Sequence, residues 1–184
     1  MNGDGIIDNE DKTNVGSNIP KVTWGLTNNF SFKGIELSVF MDGVPDSQLL
    51  NIAKKETTQS RGNVRAYWLD RWKSAENPGN GKVPRAATTD NLTTPSDWWL
   101  EDASFWRIRN INLSYTLPKS IMNKQSFMNS CRIYSSIDNV YMHDNYNHMP
   151  QNAPMSSSSL TPGIDYDSGY PLARTIQFGL NINF

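Results

Sequence analysis

The sequence predicts an all-β fold of antiparallel, up-and-down strands, arranged as in the wall of an outer-membrane β-barrel. Three observations lead to this prediction. Apolar and polar residues alternate in several stretches, these stretches are about 10–14 residues long, and the connections between them are alternately short and long. A strand tilted by ~45° needs about 9–11 residues to cross a membrane. Outer-membrane barrels join such strands by short turns at one end and long loops at the other.

The first two strands are predicted to form a hairpin. In Val22–Phe32, apolar side chains occupy five of the six positions on one face and none of the five on the other. Lys33 and Gly34 predict a tight turn, because glycine accepts a positive φ angle. The alternation resumes in Ile35–Met41, so the two strands are expected to pair.

Three more strands are predicted at Ser104–Leu117, Arg132–Met142 and Thr175–Phe184. The long stretches 43–103 and 143–171 are predicted to be loops, the first with a short helix near 51–60. Chain ends usually fray unless something holds them, so a strand that alternates up to its last residue is expected to pair within a larger sheet. Five strands do not close a barrel, and an open edge in lipid leaves backbone groups unpaired. We therefore expect other strands to complete the sheet.

Composition excludes several classes of protein. The 184 residues include 37% apolar and 11% aromatic residues, which is typical of a β protein whose apolar side chains lie on one face. The net charge of −1 gives no electrostatic signature of nucleic-acid binding. One cysteine, Cys131, excludes an internal disulfide framework. No apolar run approaches the ~20 residues of a membrane helix.

A family resemblance rests on four stretches that follow one another along nearly the whole chain. They are NGDGIID with IPKVTWGLTNNFSFKGIELSVFMDG, WLEDASFWRIRNINLSYTLP, RIYSSIDNVY, and GIDYDSGYPLARTIQFGLNINF. Together they resemble the C-terminal part of SusC/RagA-type TonB-linked outer-membrane transporters.

The resemblance implies that residues 1–184 supply the last five or so strands of a large, plugged barrel; transporters of this sort have 22 strands. It implies import of oligosaccharides or peptides across the outer membrane, driven by the TonB system, with a SusD-like surface lipoprotein as partner. The family's signal peptide, TonB box and plug are not recognisable in the sequence. We therefore expect an incomplete segment, which would be coupled to TonB only through the missing N-terminal part.

The start of the chain, NGDGIIDNED, resembles the middle of a calcium-binding loop. Calcium prefers six to eight oxygen ligands, which alternate acidic side chains on a glycine turn supply. The predicted ligands are Asn2, Asp4, Asp8 and Asp11 through their side chains and Ile6 through its carbonyl. The first ligand of such a loop would lie before Met1, so calcium is expected mainly in the intact parent protein. The alternative is an acidic surface loop, and no other cofactor is predicted.

Tryptophans in the first long loop are candidate substrate-binding residues, because aromatic faces suit sugar rings. They are Trp68, Trp72, Trp98 and Trp99. Structural packing is the favoured alternative. The tryptophans at 98, 99 and 106, with Phe105, are also expected to form an aromatic girdle at the lipid headgroups.

Charged and polar residues of the strands lead to two expectations. Arg107 and Arg109 are predicted to share a face with Ile111 and to mark the outer rim, meeting lipid phosphates or loop carboxylates. The opposite, wet face is expected to line the lumen, with Thr23, Thr27, Asn29, Asn110, Asn112, Asn181 and Asn183. His143 and His148 are poor zinc ligands without further partners. No catalytic constellation stands out, so no enzyme is predicted.

A soluble β-sandwich that binds glycans is the alternative fold and function, because antiparallel sandwiches alternate too. In that case Phe30, Phe32, Phe178 and Phe184 would pack in a core. A further possibility is that the isolated segment collapses its apolar faces together.

Overall fold

The computed structural model describes residues 4–5, 9–52, 54, 66–86, 96–122, 127–146, 163–166 and 172–184. The chain divides into two compact units. The first, here called the sheet unit, comprises Pro20–Ser47, Asp102–Ala153 and Gly169–Phe184. The second, here called the loop unit, comprises Met1–Ile19, Gln48–Glu101 and Pro154–Ser168.

Strands dominate the described part of the chain. In chain order they are β1 (Trp24–Phe32), β2 (Ile35–Val44), β3 (Gln48–Asn51), β4 (Leu100–Asp102), β5 (Phe105–Thr116), β6 (Ser130–Asp144), β7 (Ile164–Asp165) and β8 (Thr175–Asn183). One short α-helix, α1 (Lys119–Met122), and 3-10 helices at Asn9–Asp11, Ala66–Asp70 and Asp97–Trp99 accompany them. None of the helices in the described ranges is long and apolar enough to cross a membrane.

The sheet unit is built on one five-stranded sheet in the order β1-β2-β5-β6-β8. Every neighbouring pair is antiparallel, so each strand lies beside the next long strand along the chain. All five strands lie within three residues of their predicted bounds. The predicted all-β, up-and-down arrangement is therefore confirmed.

The tight turn between β1 and β2 is also confirmed. Lys33 and Gly34 have φ angles of 48° and 87°, and Phe32 pairs directly with Ile35. Two consecutive positive φ angles define the turn whose twist matches the twist of a hairpin. A side chain at Gly34 would also approach the Thr116 carbonyl oxygen within 2.7 Å, so glycine is required there for space as well.

A β-bulge in β5 changes which face its first residues occupy. The register between β2 and β5 shifts between Phe40 and Met41, which leaves Arg109 as the extra residue. Arg107 therefore pairs with Asp42, on the polar face of the sheet. The prediction that Arg107 and Arg109 share the face of Ile111 is wrong, because one extra residue in a strand reverses the direction of every side chain beyond it.

The polar face carries the residues predicted for it. Thr27 of β1 pairs with Phe40 of β2, which in turn pairs with Asn110 of β5. In the same way, Asn29 pairs with Ser38, which pairs with Asn112. Asn181 and Asn183 pair with Arg132 and Ser130 on the same face. Thr23 precedes the first residue of β1.

The loop unit has a small core of its own, although its sequence was predicted to be loop. β4, β3 and β7 form a three-stranded sheet in that order, and β3 pairs with β7 in parallel. Its buried apolar side chains are Leu49, Trp68, Val83 and Trp99. The predicted helix near 51–60 lies largely outside the described residues.

Candidate functional site

The apolar face of the five-stranded sheet is exposed, and it is the most unusual surface in the described residues. Phe178 is 82% exposed and Phe32 69%. Further exposed apolar residues on this face are Leu26, Phe30, Ile35, Leu113, Ile133, Ile176 and Leu180. Five strands about 4.8 Å apart, each with nine residues of ~3.3 Å, cover about 700 Å². A soluble monomer rarely exposes a contiguous apolar patch of this size.

The apolar residues of this face form a band across the five strands, here called the apolar band. On β1 it extends from Trp24 to Phe32 and is centred on Asn28. Consecutive pairings across the sheet place Asn28 at the same register position as Ile176 of β8; the residues between them are Val39, Ile111 and Ile137. On β8 the band extends from Ile176 to Phe184 and is centred on Leu180.

The band reaches further towards the chain end on β8 than on the other four strands. Leu180 lies level with Ile133, and the chain continues for four residues beyond that level to Phe184.

Aromatic side chains border the apolar band at both ends. At the long-loop end, Trp24, Gly43, Trp106 and His143 lie level in register. The ring centroids of Trp106 and Tyr141 are 5.3 Å apart. At the short-turn end, the bordering residues are Phe32, Tyr115 and Phe184. Such girdles mark the two headgroup levels of a membrane.

Of the four residues predicted to form the girdle, Trp106 lies at the border of the apolar band, and the contact with lipid headgroups stays a prediction. Trp98 and Trp99 belong to the loop unit, where Trp99 is buried. Phe105 pairs with Val44 on the opposite, polar face because it lies before the bulge. Trp24 and Tyr141 complete the girdle instead.

Two arginines share one carboxylate on the polar face, at the long-loop end. Arg107 donates from Nε and Nη2 to the two oxygens of Asp42 at 2.9 and 3.0 Å. Arg109 donates from Nη2 to Oδ2 of the same residue at 2.9 Å. The Arg109 guanidinium also lies over the Phe40 ring, 5.6 Å from its centroid. These arginines were predicted to meet lipid phosphates or loop carboxylates. They meet a carboxylate, but it belongs to strand β2 and lies on the polar face, so the lipid-phosphate alternative is wrong.

A shallow cavity of about 320 Å³ lies on the same polar face, nearer the short turn. The residues around it are Asn29, Phe30, Ser31, Glu36, Ser38, Asn112, Ser114 and Arg132. Arg132 donates to Glu36 at 2.9 Å and to the buried Ser114 hydroxyl at 2.8 Å. This face is thus polar and hydrogen-bonded around the cavity.

The candidate substrate-binding tryptophans differ in exposure. Trp68 and Trp99 are each 3% exposed, Trp98 is half-buried and Trp72 is 38% exposed. Trp98 lies 6.4 Å from Trp68 between ring centroids. Burial favours a packing role for Trp68 and Trp99, while Trp72 offers a face to a ligand. Their role in substrate binding stays a prediction.

A half-buried ion pair supports the tryptophan cluster. The Lys54 ammonium lies 2.9 Å from Glu101 and 4.3 Å from the centroid of the Trp98 ring. It also donates to the Trp98 carbonyl at 2.7 Å. These contacts fix one face of Trp98 within the loop unit.

The predicted calcium loop is described only in part. Asp4 and Asp11 lie within the described residues, whereas Asn2, Ile6 and Asp8 lie outside them. Among the described residues, no group of three or more His, Cys, Asp or Glu side chains is placed to hold a metal ion. Calcium binding stays a prediction, which calorimetry with millimolar calcium tests.

Comparison with known proteins agrees with this geometry. No protein-family model matches the sequence. The chain aligns in full with TonB-dependent receptor P26 of Formosa agariphila, at 28% identity over 191 residues, and with TonB-dependent receptor SusC of Bacteroides thetaiotaomicron, at 24%. It spans 19% and 17% of the lengths of those proteins.

Solved structures show the same fold. The RagAB peptide importer in its "open-open" state matches with a TM-score of 0.71 over 91% of this chain and 18% of that chain, at 23% identity. Over its whole length, the chain is similar to part of a SusC/RagA-type TonB-dependent receptor. The resemblance predicted from the sequence is confirmed. The five-stranded sheet of this SusC/RagA-like segment has the fold of a piece of a transporter barrel.

Proposed function

We propose that the chain forms part of the barrel wall of a TonB-dependent outer-membrane importer. The apolar band meets the hydrocarbon of the lipid, and the polar face lines the lumen. The curated relatives are named receptors and the solved neighbours are named a peptide importer or transporter, so transport rather than catalysis is supported.

The single observation that carries this proposal is the exposed apolar band. In a soluble sandwich the same side chains would pack against a second sheet, yet Phe178 is 82% exposed and Phe184 80%. Within the described residues, no second layer covers this face.

The substrate is an oligosaccharide or a peptide, and the partner is a SusD-like surface lipoprotein. Support comes from the similarity to SusC and to the RagAB peptide importer. The two long connections, between β2 and β5 and between β6 and β8, would meet substrate and lipoprotein at the outer surface. Coupling to TonB would take place through parts of the protein other than this sheet.

Neighbouring residues of β8 test the membrane assignment. Phe178 lies on the apolar face and Gln177 on the polar face, at almost the same height. In the full-length receptor with Cys131 replaced by serine, single cysteines at 177 and 178 are labelled with a fluorophore. We expect brominated lipids to quench the label at 178, and a water-soluble quencher to reach the label at 177. Equal access of the water-soluble quencher to both labels would contradict the proposal.

Deletion of the gene tests the importer role. Loss of growth on an oligosaccharide or peptide nutrient, restored by the complete gene, is expected. Co-purification of a surface lipoprotein with the tagged receptor checks the partner. Unchanged uptake of every nutrient tested would refute the importer role, even if the membrane assignment holds.

A further inference from the structure

We infer that Arg109 binds the carboxylate of an anionic substrate in the lumen of the importer. This inference rests on the proposed function and goes beyond it, because it names a residue and a chemical class of ligand. The carboxylate belongs either to a peptide or to an acidic sugar.

The first support is that two arginines share one carboxylate. Arg107 and Arg109 both bind Asp42. Asp138, on the same face, accepts a hydrogen bond from the Asn110 amide at 2.7 Å. Arg109 therefore shares its carboxylate partner with a second arginine.

The second support is the unequal exposure of the two arginines. The side chain of Arg107 is 11% exposed and makes the two-pronged contact with Asp42. The side chain of Arg109 is 46% exposed and uses one nitrogen, Nη2, on the same carboxylate. A guanidinium has five N–H donors in a flat fork. The remaining donors of Arg109 are suited to a two-pronged bond with a second carboxylate.

The third support is that the side chain is held in place. The Phe40 ring supports the guanidinium from one side, and Asp42 fixes one of its nitrogens. A side chain that is already ordered loses less conformational entropy when a ligand binds. The half-exposed guanidinium is therefore prepared for a ligand rather than mobile in solvent.

The fourth support is the β-bulge that aims the side chain. Without the extra residue, the alternation of β5 would place Arg109 on the face of Ile111, towards lipid. The opposite strand adapts with Asn139 at a φ angle of 54°, and Arg174 donates to the Val140 carbonyl at 2.7 Å. Bulges occur frequently beside functional sites, where they redirect one side chain.

Binding assays on the purified full-length receptor test the inference with two matched ligand pairs. One pair is a short peptide with a free C-terminal carboxylate and the same peptide with an amidated C-terminus. The other is a uronic-acid oligosaccharide and its neutral counterpart. Arg109→Gln is expected to weaken binding of the carboxylate form by about tenfold or more, the value of a charged hydrogen bond, and to leave the neutral form unchanged.

Two further variants complete the experiment. Arg109→Lys keeps the charge and loses the fork, so part of the affinity is expected to return. Arg132→Gln is the control, since Arg132 has a side chain 49% exposed and an ion pair with Glu36 on the same face. The affinities of the Arg132→Gln variant for the carboxylate and the neutral ligands are expected to stay unchanged.

Each outcome decides the inference. A selective loss in one ligand pair supports Arg109 and identifies peptide or acidic sugar as the source of the carboxylate. Equal losses for charged and neutral ligands, or equal effects of Arg132→Gln, would overturn it while leaving the importer intact. If the wild-type receptor binds neither carboxylate ligand, the inference about Arg109 is also overturned. The proposed function would be refuted in addition only if the wild-type receptor did not reach the outer membrane.

Discussion

Replacement of Phe178 with arginine measures the free energy that the lipid contributes to the apolar band. Phe178 lies two residues from Leu180, the centre of the band on β8. At ~3.3 Å per residue and the ~35–45° tilt of barrel strands, it lies about 5 Å from the midplane of the band. A lipid-facing arginine at the midplane of a barrel costs about 2–4 kcal/mol, and less towards the interfaces.

Protein contacts contribute little to this effect, which makes the measurement clear. Phe178 is 82% exposed, so truncation removes only a small part of the ~1.5–3 kcal/mol that a fully buried phenylalanine contributes. We therefore expect Phe178→Arg to lower the free energy of unfolding by about 2–3 kcal/mol in lipid bilayers. In a soluble protein the same exposed position would accept arginine at almost no cost.

The assay is urea unfolding of the full-length receptor reconstituted in vesicles, with folding monitored by heat-modifiable migration on gels. Gln177→Arg is the matched control, because Gln177 is the preceding residue of β8 and lies on the polar face. Its stability is expected to stay within about 0.5 kcal/mol of the wild type. Equal stability of the two arginine variants would refute the conclusion that the apolar band meets lipid.

Three other positions give sharp expectations. Gly179→Val is expected to destabilise the sheet by about 1–3 kcal/mol, because its side chain would collide with the Tyr134 ring; Tyr134→Ala should remove most of that loss in a double-mutant cycle. Trp99→Ala is expected to lower the stability of the loop unit by about 3–5 kcal/mol, which limited proteolysis measures. Trp72→Ala should leave stability nearly unchanged, and it would lower the affinity for a glycan if Trp72 binds sugar, which ligand titration measures. Burial raises the pKa of Asp102, but hydrogen bonds from Ser104 and Asn145 outweigh it and hold the pKa below the usual 3.8. Its stabilisation is therefore complete above that value and is lost as pH falls through the lowered pKa, so Asp102→Asn should flatten the acid side of a melting-temperature profile.

The sequence predicted the strands well because a strand with one apolar face repeats every two residues. In Val22–Phe32 the pattern is almost free of exceptions, and the observed β1 begins at Trp24. The turn at Lys33 and Gly34 was predictable because few residue pairs adopt two positive φ angles. The polar lining followed from the same alternation.

The bulge at Arg109 was not predicted because it depends on hydrogen-bond register between strands rather than on residue type. The available signal was two arginines placed in phase with Ile111 and Leu113, on a face that is otherwise apolar. Such an exception is better explained by a change of face than by a charge at the rim. Had the change of face been predicted, the contacts of both arginines with Asp42 would have been predictable from the sequence.

The core of the loop unit was beyond sequence analysis for a different reason. Leu49, Trp68, Val83 and Trp99 are far apart in the sequence and follow neither strand nor helix periodicity. Their burial depends on contacts between distant segments, such as the parallel pairing of Leu50 with Ile164. Propensity and spacing carry no information about such contacts.

The order of the sheet also limits how its two free edges find partners. With five strands that alternate in direction, β1 and β8 run the same way. If the sheet closed on itself, β1 and β8 would therefore pair in parallel. The same parallel pairing would form between β8 and β1 of an identical copy in the same orientation. A closed barrel with only antiparallel seams must therefore contain an odd number of strands in addition to these five.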